Sequence, residues 1–312
     1  MALTIAEADK YSRTTLLRGI VEEIVSESPI LLFLPFTEVL GNSLTYNRES
    51  TLPSAAFFGV GDTWVESTPV LAQVTVTLKI LGGDSDVDNF LRITRANEQD
   101  LEAEVIGQKA KAIGREFEDE FLYGDTAVDA KGFDGLHKLI GTGPQQVNAG
   151  SGTTPGAGSF SLIDQTIDLI KPGTPDLLIM SGRTRRQVQK LARNQGWDFA
   201  LAPAPGEIGR QVALYNQIPI AVSDYISDTE AIASGRFSAK TGGTASSILA
   251  VKLGEGHLLG LEATEGIVSE SVGSLSDKDA RRWRLKWYVA IALFSTLSLA
   301  RLDGISSADW TN

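Results

Sequence analysis

The sequence predicts an α+β protein with two lobes, a projecting hairpin and an N-terminal arm, and three stretches carry that prediction. A charged helix of about seven turns starts near Glu98 and closes on Tyr123-Gly124-Asp125, ahead of Phe133-Asp134-Gly135-Leu136. Val74, Val76, Leu78 and Ile80 alternate with Thr75, Thr77 and Lys79, the period of a half-buried strand. Between Leu162 and Val222, helical and strand-like patterns alternate as in a small α/β lobe.

Taken in order, Leu16, Leu17, Ile20, Val21, Ile24 and Val25 share one helical face. Ser28-Pro29 ends that helix, because a residue before proline disfavours the α region. The apolar segment Ile30–Leu34 follows, and it needs a surface, either its own core or a neighbouring subunit. Asn42–Glu49 is extended and pairs with the Val74–Ile80 strand across a turn-rich stretch carrying Phe57, Phe58 and Trp64. Aromatics on a projecting tip mark a contact surface unless they fold back onto their own domain.

On the long helix, Leu101, Val105, Ala112, Ile113, Phe117 and Phe121 form a stripe, and Glu102, Glu104, Lys109, Lys111, Arg115, Glu118 and Asp119 populate the wet side. Gly141–Ser159 reads as a loop or lobe boundary. Helices are expected over Leu162–Lys171 and Arg183–Asn194, and strands over Pro175–Met180 and Ile218–Val222. Trp283, Leu285, Trp287, Val289 and Ile291 alternate with Arg282, Arg284, Lys286, Tyr288 and Ala290, a strand with one apolar and one basic-to-polar face.

Composition narrows the function. A chain of 312 residues with 42% hydrophobic and 21% charged residues can bury a sizeable core. Its net charge of −11 opposes a chain-wide grip on nucleic acid. Zero cysteines exclude disulfides, thiol catalysis and cysteine-ligated zinc. Met1–Lys10 does not read as a secretory leader, and the apolar runs Pro29–Phe36 and Val289–Leu297 fall short of the roughly 20 residues of a membrane span.

No motif supports catalysis. Asp84-Ser85-Asp86-Val87-Asp88-Asn89 imitates the start of a calcium loop, but Asn89 and Arg95 stand where glycine and glutamate are required. It is expected to be a solvated acidic turn capping a helix. His137 and His257 have no metal-ligand companions and are expected in loops or at the surface. Neither a nucleophile elbow nor a complete phosphate-binding glycine loop is present. Arg282, Arg284 and Lys286 share a strand face that Asp277 and Asp279 can neutralise; Arg183, Arg185, Arg186, Lys190 and Arg193 are read in the same way. Catalytic, cofactor-binding and metal-binding residues are therefore expected to be absent, and no cofactor is implied.

The order of these elements resembles a tailed-bacteriophage major capsid protein of the Hong Kong 97-type fold. The resemblance rests on the arm, the long hairpin, the spine helix ending in Tyr123-Gly124-Asp125 with Gly135-Leu136, Asp176–Ser181 with its following helix, and Leu214–Ile220, where Asn216-Gln217 replace the usual glycine. It implies an N-terminal arm over 1–40, an extended loop over 41–82, a peripheral domain of 83–137 plus 276–312, and an axial domain of 138–275. It further implies pentamers and hexamers that close, in the host cytoplasm, into an icosahedral virion shell around double-stranded DNA held without sequence-specific contact. The implied partners are other copies of the chain, a scaffolding protein, a portal and a decoration protein; no membrane is involved. Because the sequence opens on the arm, the scaffold is expected to be separate. Subunit contacts are expected at Phe57, Phe58, Trp64, Leu16, Ile20 and Ile24. Residues 41–78 lack lysine, so the loop-lysine cross-link of some relatives is expected to be absent. Two other readings stay open: an encapsulin-type compartment of the same fold, and a soluble α/β enzyme.

Overall fold

The computed structural model describes residues 24, 28–51, 53–94, 101–196, 199–203, 211–308 and 310. Leu16 and Ile20, and most of the expected arm helix, lie outside the described residues.

After a single 3₁₀ turn at Pro29–Leu32, the first half contributes β1 (Phe36–Val39), the hairpin strands β2 (Ser43–Thr51) and β3 (Val70–Thr77), and β4 (Lys79–Asp88). Three helices follow: α1 (Asn89–Thr94), α2 (Leu101–Tyr123, the spine) and α3 (Leu136–Ile140). The second half holds β5 (Gln146–Asn148), α4 (Phe160–Asp168), β6 (Leu177–Met180), α5 (Gly182–Asn194), β7 (Ala200–Pro203), β8 (Gln211–Tyr215) and β9 (Ile218–Val222). The small hairpin β10 (Ala231–Ala233) and β11 (Arg236–Ala239) precedes β12 (Ser246–Val251), β13 (Leu258–Ser274), β14 (Ala280–Leu293) and β15 (Leu299–Ile305).

Two sheets organise the molecule, a four-stranded one in the order β1-β13-β14-β4 and a seven-stranded one in the order β5-β15-β12-β6-β9-β8-β7. The spine helix lies between them. Its Ile106, Ala110, Ile113, Phe117, Phe121 and Leu122 share one core with Leu285, Trp287, Val289 and Ile291 of β14 and with Leu177, Ile179, Leu249 and Val251 of the other sheet. The opposite faces are covered separately. Leu178, Met180, Ile248, Ala250 and Leu302 pack under α4 and α5, while Ala290 and Ala292 pack under the hairpin base. Strict alternation along β6, β12 and β14 thus delivers successive side chains to two different cores, and β6 reads as an unbroken apolar run because both its faces are covered.

Helix starts follow local chemistry: Ser159 accepts from Leu162 N and Ser181 from Thr184 N, the side-chain caps of α4 and α5. The spine's 23 residues span roughly 35 Å. Its exit needs glycine: a Cβ on Gly124 would lie 2.2 Å from Phe133 O, and one on Gly135 would lie 2.5 Å from Glu120 O. At the β8–β9 turn Asn216 and Gln217 both have positive φ, 47° and 69°, so two left-handed residues do the work expected of a glycine there.

Several sequence expectations need correction. The Val74–Ile80 strand is two strands: Leu78 N bonds Asn42 O at 2.8 Å as the closing rung of the hairpin, and from Lys79 the chain pairs with β14 instead. The proposed break at 275/276 does not separate the sheets: β13, placed in the axial unit, pairs with β14, whereas β15, placed in the peripheral unit, pairs with β12. On the spine, Ala112 is exposed, whereas Glu118, placed on the wet side, is 1% exposed. Ile30, Leu34 and Ile24 are buried in the subunit's own core, which leaves Ile24 no side-chain surface for a neighbour.

Candidate assembly surfaces and the buried joint

The hairpin is anchored at its base and bare at its tip. Tyr46 Oη donates to Leu293 O at 2.7 Å and Arg48 Nε to Phe294 O at 2.9 Å, so β2 is clamped to the last carbonyl of β14 and the one just beyond it. The Tyr46 ring packs against Phe294 at 4.5 Å between centroids. At the far end Gly59 N donates to Asp62 Oδ2, closing a turn in which Gly61 takes φ +94°. Phe58 stacks on Trp64 with centroids 4.3 Å apart. Phe57, Val60, Trp64 and Val65 stand exposed around that pair, Phe57 completely so. Of the three aromatics singled out in the sequence, Phe58 and Trp64 are brought together, while Phe57 stands alone in solvent.

The outer face of the four-stranded sheet is ion-paired. Arg284 bonds Asp84 in bidentate fashion (2.7 and 2.8 Å), Arg282 bonds Asp86 likewise (2.6 and 2.8 Å), and Lys286 reaches Glu270 at 2.9 Å. The guanidinium of Arg282 holds the Asp86 carboxyl down at about 2, and that of Arg284 lowers Asp84. The calcium-like stretch is therefore no turn. Asp84 and Asp86 are strand residues facing Arg284 and Arg282 directly across the ladder, and Asp88, opposite Ala280, caps Phe90 N through Oδ1 at 2.8 Å. The basic strand face is neutralised by these groups more than by Asp277 and Asp279. Arg183, at the start of α5, pairs with Asp228 at 3.3 Å.

A polar joint that sequence reasoning missed lies where the spine's C-terminus meets the seven-stranded sheet. His137, expected in a loop or at the surface, is buried there; its ring stacks on Tyr123 at 4.6 Å. Arg301 donates from Nη1 to His137 Nδ1 at 2.9 Å. A guanidinium can only donate, so His137 carries its proton on Nε2, toward Glu230 Oε1 at 3.6 Å. Burial, reinforced by Arg301, keeps this imidazole far below the usual histidine range and therefore neutral. Tyr123 Oη donates to Glu230 Oε1 at 2.5 Å and Ser247 Oγ at 3.0 Å. Burial pushes Glu230 up to about 8. Arg301 Nε lies 2.6 Å from Asp303 Oδ1, both side chains being almost completely buried. His257, by contrast, is a loop residue whose Nδ1 lies 2.6 Å from Ser298 Oγ.

These groups fix geometry, tying the spine's end to the seven-stranded sheet. Among the described residues no group of three or more His, Asp or Glu is arranged to hold a metal, and no helix is long and apolar enough to cross a membrane.

Comparison with known proteins gives the same architecture a family. No curated protein sequence matches the chain. Solved structures do. An encapsulin complex from Synechococcus elongatus PCC 7942 superposes with TM-score 0.68 at 15% identity, over 91% of this chain and 89% of that one. The capsid of a native GTA particle gives TM-score 0.63 at 15% identity over 90% of each chain. A structure from Mycobacterium phage Bobi gives 0.61 at 13% identity, covering 88% and 89%. Identities this low show a shared fold, here the Hong Kong 97-type capsid fold, and the sequence itself supplies the assignment. The family model described as the phage capsid family matches residues 12–255, so the chain belongs to that family and is a shell-forming structural protein.

Proposed function

We propose that this chain assembles as pentamers and hexamers into an icosahedral virion shell around double-stranded DNA. The observation that carries this reading is the aromatic tip of an arm whose base is clamped by Tyr46 and Arg48: Phe57 and Trp64 stand exposed, and Phe58 stacks on Trp64. A knob held away from its own core suits contact with another copy, because aromatics supply much of the energy of interfaces. In this reading the four-stranded sheet with the spine helix forms the peripheral domain. The seven-stranded sheet with α4 and α5 forms the axial domain, and residues 41–82 with the N-terminal arm reach neighbours. The further partners are a scaffolding protein, a portal, a decoration protein and the packaged DNA, with assembly in the host cytoplasm. The net charge of −11 suits a wall that holds DNA without binding it tightly. The role is structural, without catalysis.

Negative-stain electron microscopy of the expressed chain tests the reading. Shells containing DNA support it, and a small oligomer on gel filtration would refute it. The likeness to an encapsulin gives a second reading, a protein compartment, which a co-purifying enzyme inside nuclease-resistant, DNA-free shells would favour.

Loop-lysine cross-linking is expected to be absent. Residues 41–78 contain no lysine, and Lys79, at the hairpin base, donates from Nζ to Ala130 O at 2.7 Å. Denaturing electrophoresis of assembled shells should show one band at the subunit mass, whereas a covalent ladder would contradict the expectation.

A further inference from the structure

The two helices that cover the seven-stranded sheet opposite the spine have segregated charges. Helix α5 carries Arg183, Arg185, Arg186, Lys190 and Arg193 and no acid, whereas α4 carries Asp164 and Asp168 and no cation. Thr184, Val188, Leu191 and Ala192 are the buried side of α5. The helical period therefore turns Arg186, Lys190 and Arg193 outward, and all three are exposed. On α4, Ile163 and Thr166 are buried, and Asp164 and Asp168 are exposed on the other side.

Each helix works against itself. Arg186 and Lys190 are like charges one turn apart, as are Asp164 and Asp168, and such pairs destabilise a helix. Asp168 ends α4 at the negative pole of its dipole, and α5 opens on arginines at its positive pole. Arg183 is relieved by Asp228, and Asp164 accepts from Tyr215 Oη at 2.7 Å. Among the described residues no ion pair joins α4 to α5, and Asp168, Arg186 and Arg193 make no ion pair in their own chain. The two faces also point to different ends of the lobe. Lys171, just past α4, bonds Leu297 O where β15 begins, beside the start of β6, whereas α5 starts from Ser181 at the end of β6.

We propose that these faces are the two halves of one contact between copies, the Arg186–Arg193 face of α5 docking on Asp164 and Asp168 of α4 in the next copy. This rests on the ring-forming reading above and names a contact for it. The two surfaces differ, so the contact is heterologous, and repetition closes a ring when the rotation fits. It brings opposite charges together and sets the negative end of α4 toward the positive end of α5. The phosphates of DNA are the other anion at hand, but they would relieve α5 alone. A surface carrying both signs relieves both helices, and a second copy supplies it.

Sedimentation of the full chain measures the lowest concentration at which rings or shells form. Arg186→Glu should raise that threshold about tenfold or more. Lys131→Glu, an equal change of charge in the exposed loop after the spine, should leave it within a few-fold. Asp168→Arg separates the contact from general repulsion. It brings the net charge of −11 nearer zero, which on its own eases association, and yet it should raise the threshold. Arg186→Glu combined with Asp168→Arg restores the pair in reverse and should recover most of the loss. Easier assembly of Asp168→Arg, an equal rise in Lys131→Glu, or a double variant worse than both singles would each overturn the contact while leaving the shell reading in place. So would an Arg186→Glu variant that assembles normally but loses retention of double-stranded DNA, since the stripe would then read phosphate. A wild type that stays monomeric would refute the shell reading, and this contact with it.

Discussion

Replacing Trp64 by Ala is expected to abolish shell formation at concentrations where the wild type assembles, while leaving the subunit folded. The side chain is 78% exposed, and its ring stacks on Phe58. Its removal opens no cavity in any of the three cores. An exposed substitution of this kind shifts stability by about 0.5 kcal/mol or less. A central interface aromatic, in contrast, costs about 2 kcal/mol or more when truncated. That corresponds to roughly 30-fold in each contact, and a closed shell repeats the contact for every subunit. Light scattering or sedimentation should show the loss of large particles, and circular dichroism should show an unchanged melt. Normal shells from this variant would remove the hairpin tip from the interface. A lowered melt would mean that the tip supports its own subunit.

The hairpin was legible in the sequence because its signals are local. Alternation in Val74–Val76 and the cluster of turn formers around Gly59 and Gly61 need no distant partner. The β14 strand was legible for the same reason, since one face meets the spine and the other meets arginine partners. Helices α4 and α5 were legible from the alternation of helical and strand-like stretches between Leu162 and Val222. Sheet membership was not legible. In β13, the residues Gly260, Gly266 and Gly273 interrupt any alternation, and the ladder to β14 shifts register between Glu262 and Ile267. Nothing local joins β15 to β12 and not to β14. Glu118 and His137 failed for a different reason: a buried polar residue looks the same in sequence as a solvated one. What distinguishes them is a partner far along the chain, Ser223 for Glu118 and Arg301 for His137. The calcium-like run failed in the same way, because its true partners, Arg282 and Arg284, lie some 200 residues away.

Arg301→Met is expected to be the most destabilising single change in the joint, at about 3–5 kcal/mol. Arg301 is 1% exposed and lies against Asp303, which is fully buried. Its guanidinium also donates to His137 Nδ1 at 2.9 Å and to His137 O at 3.2 Å, and it lies over the Phe237 ring at 5.2 Å. Methionine fills much of the volume but leaves the Asp303 carboxylate buried without its cation. Burial already raises the pKa of that carboxyl, so losing the arginine drives it further toward taking up a proton. Denaturant unfolding of unassembled subunits measures the cost. The double variant Arg301→Met with Asp303→Leu should recover a large part of it, because removing both members of a buried pair is far less damaging than removing one. The recovery should be incomplete, since His137 loses its Arg301 donor in both variants. A single variant costing less than about 1 kcal/mol would put the pair within reach of solvent. A double variant no better than the single would mean that Arg301 acts mainly through His137. In that case the joint is held by the arginine's grip on α3 and not by its charge on β15.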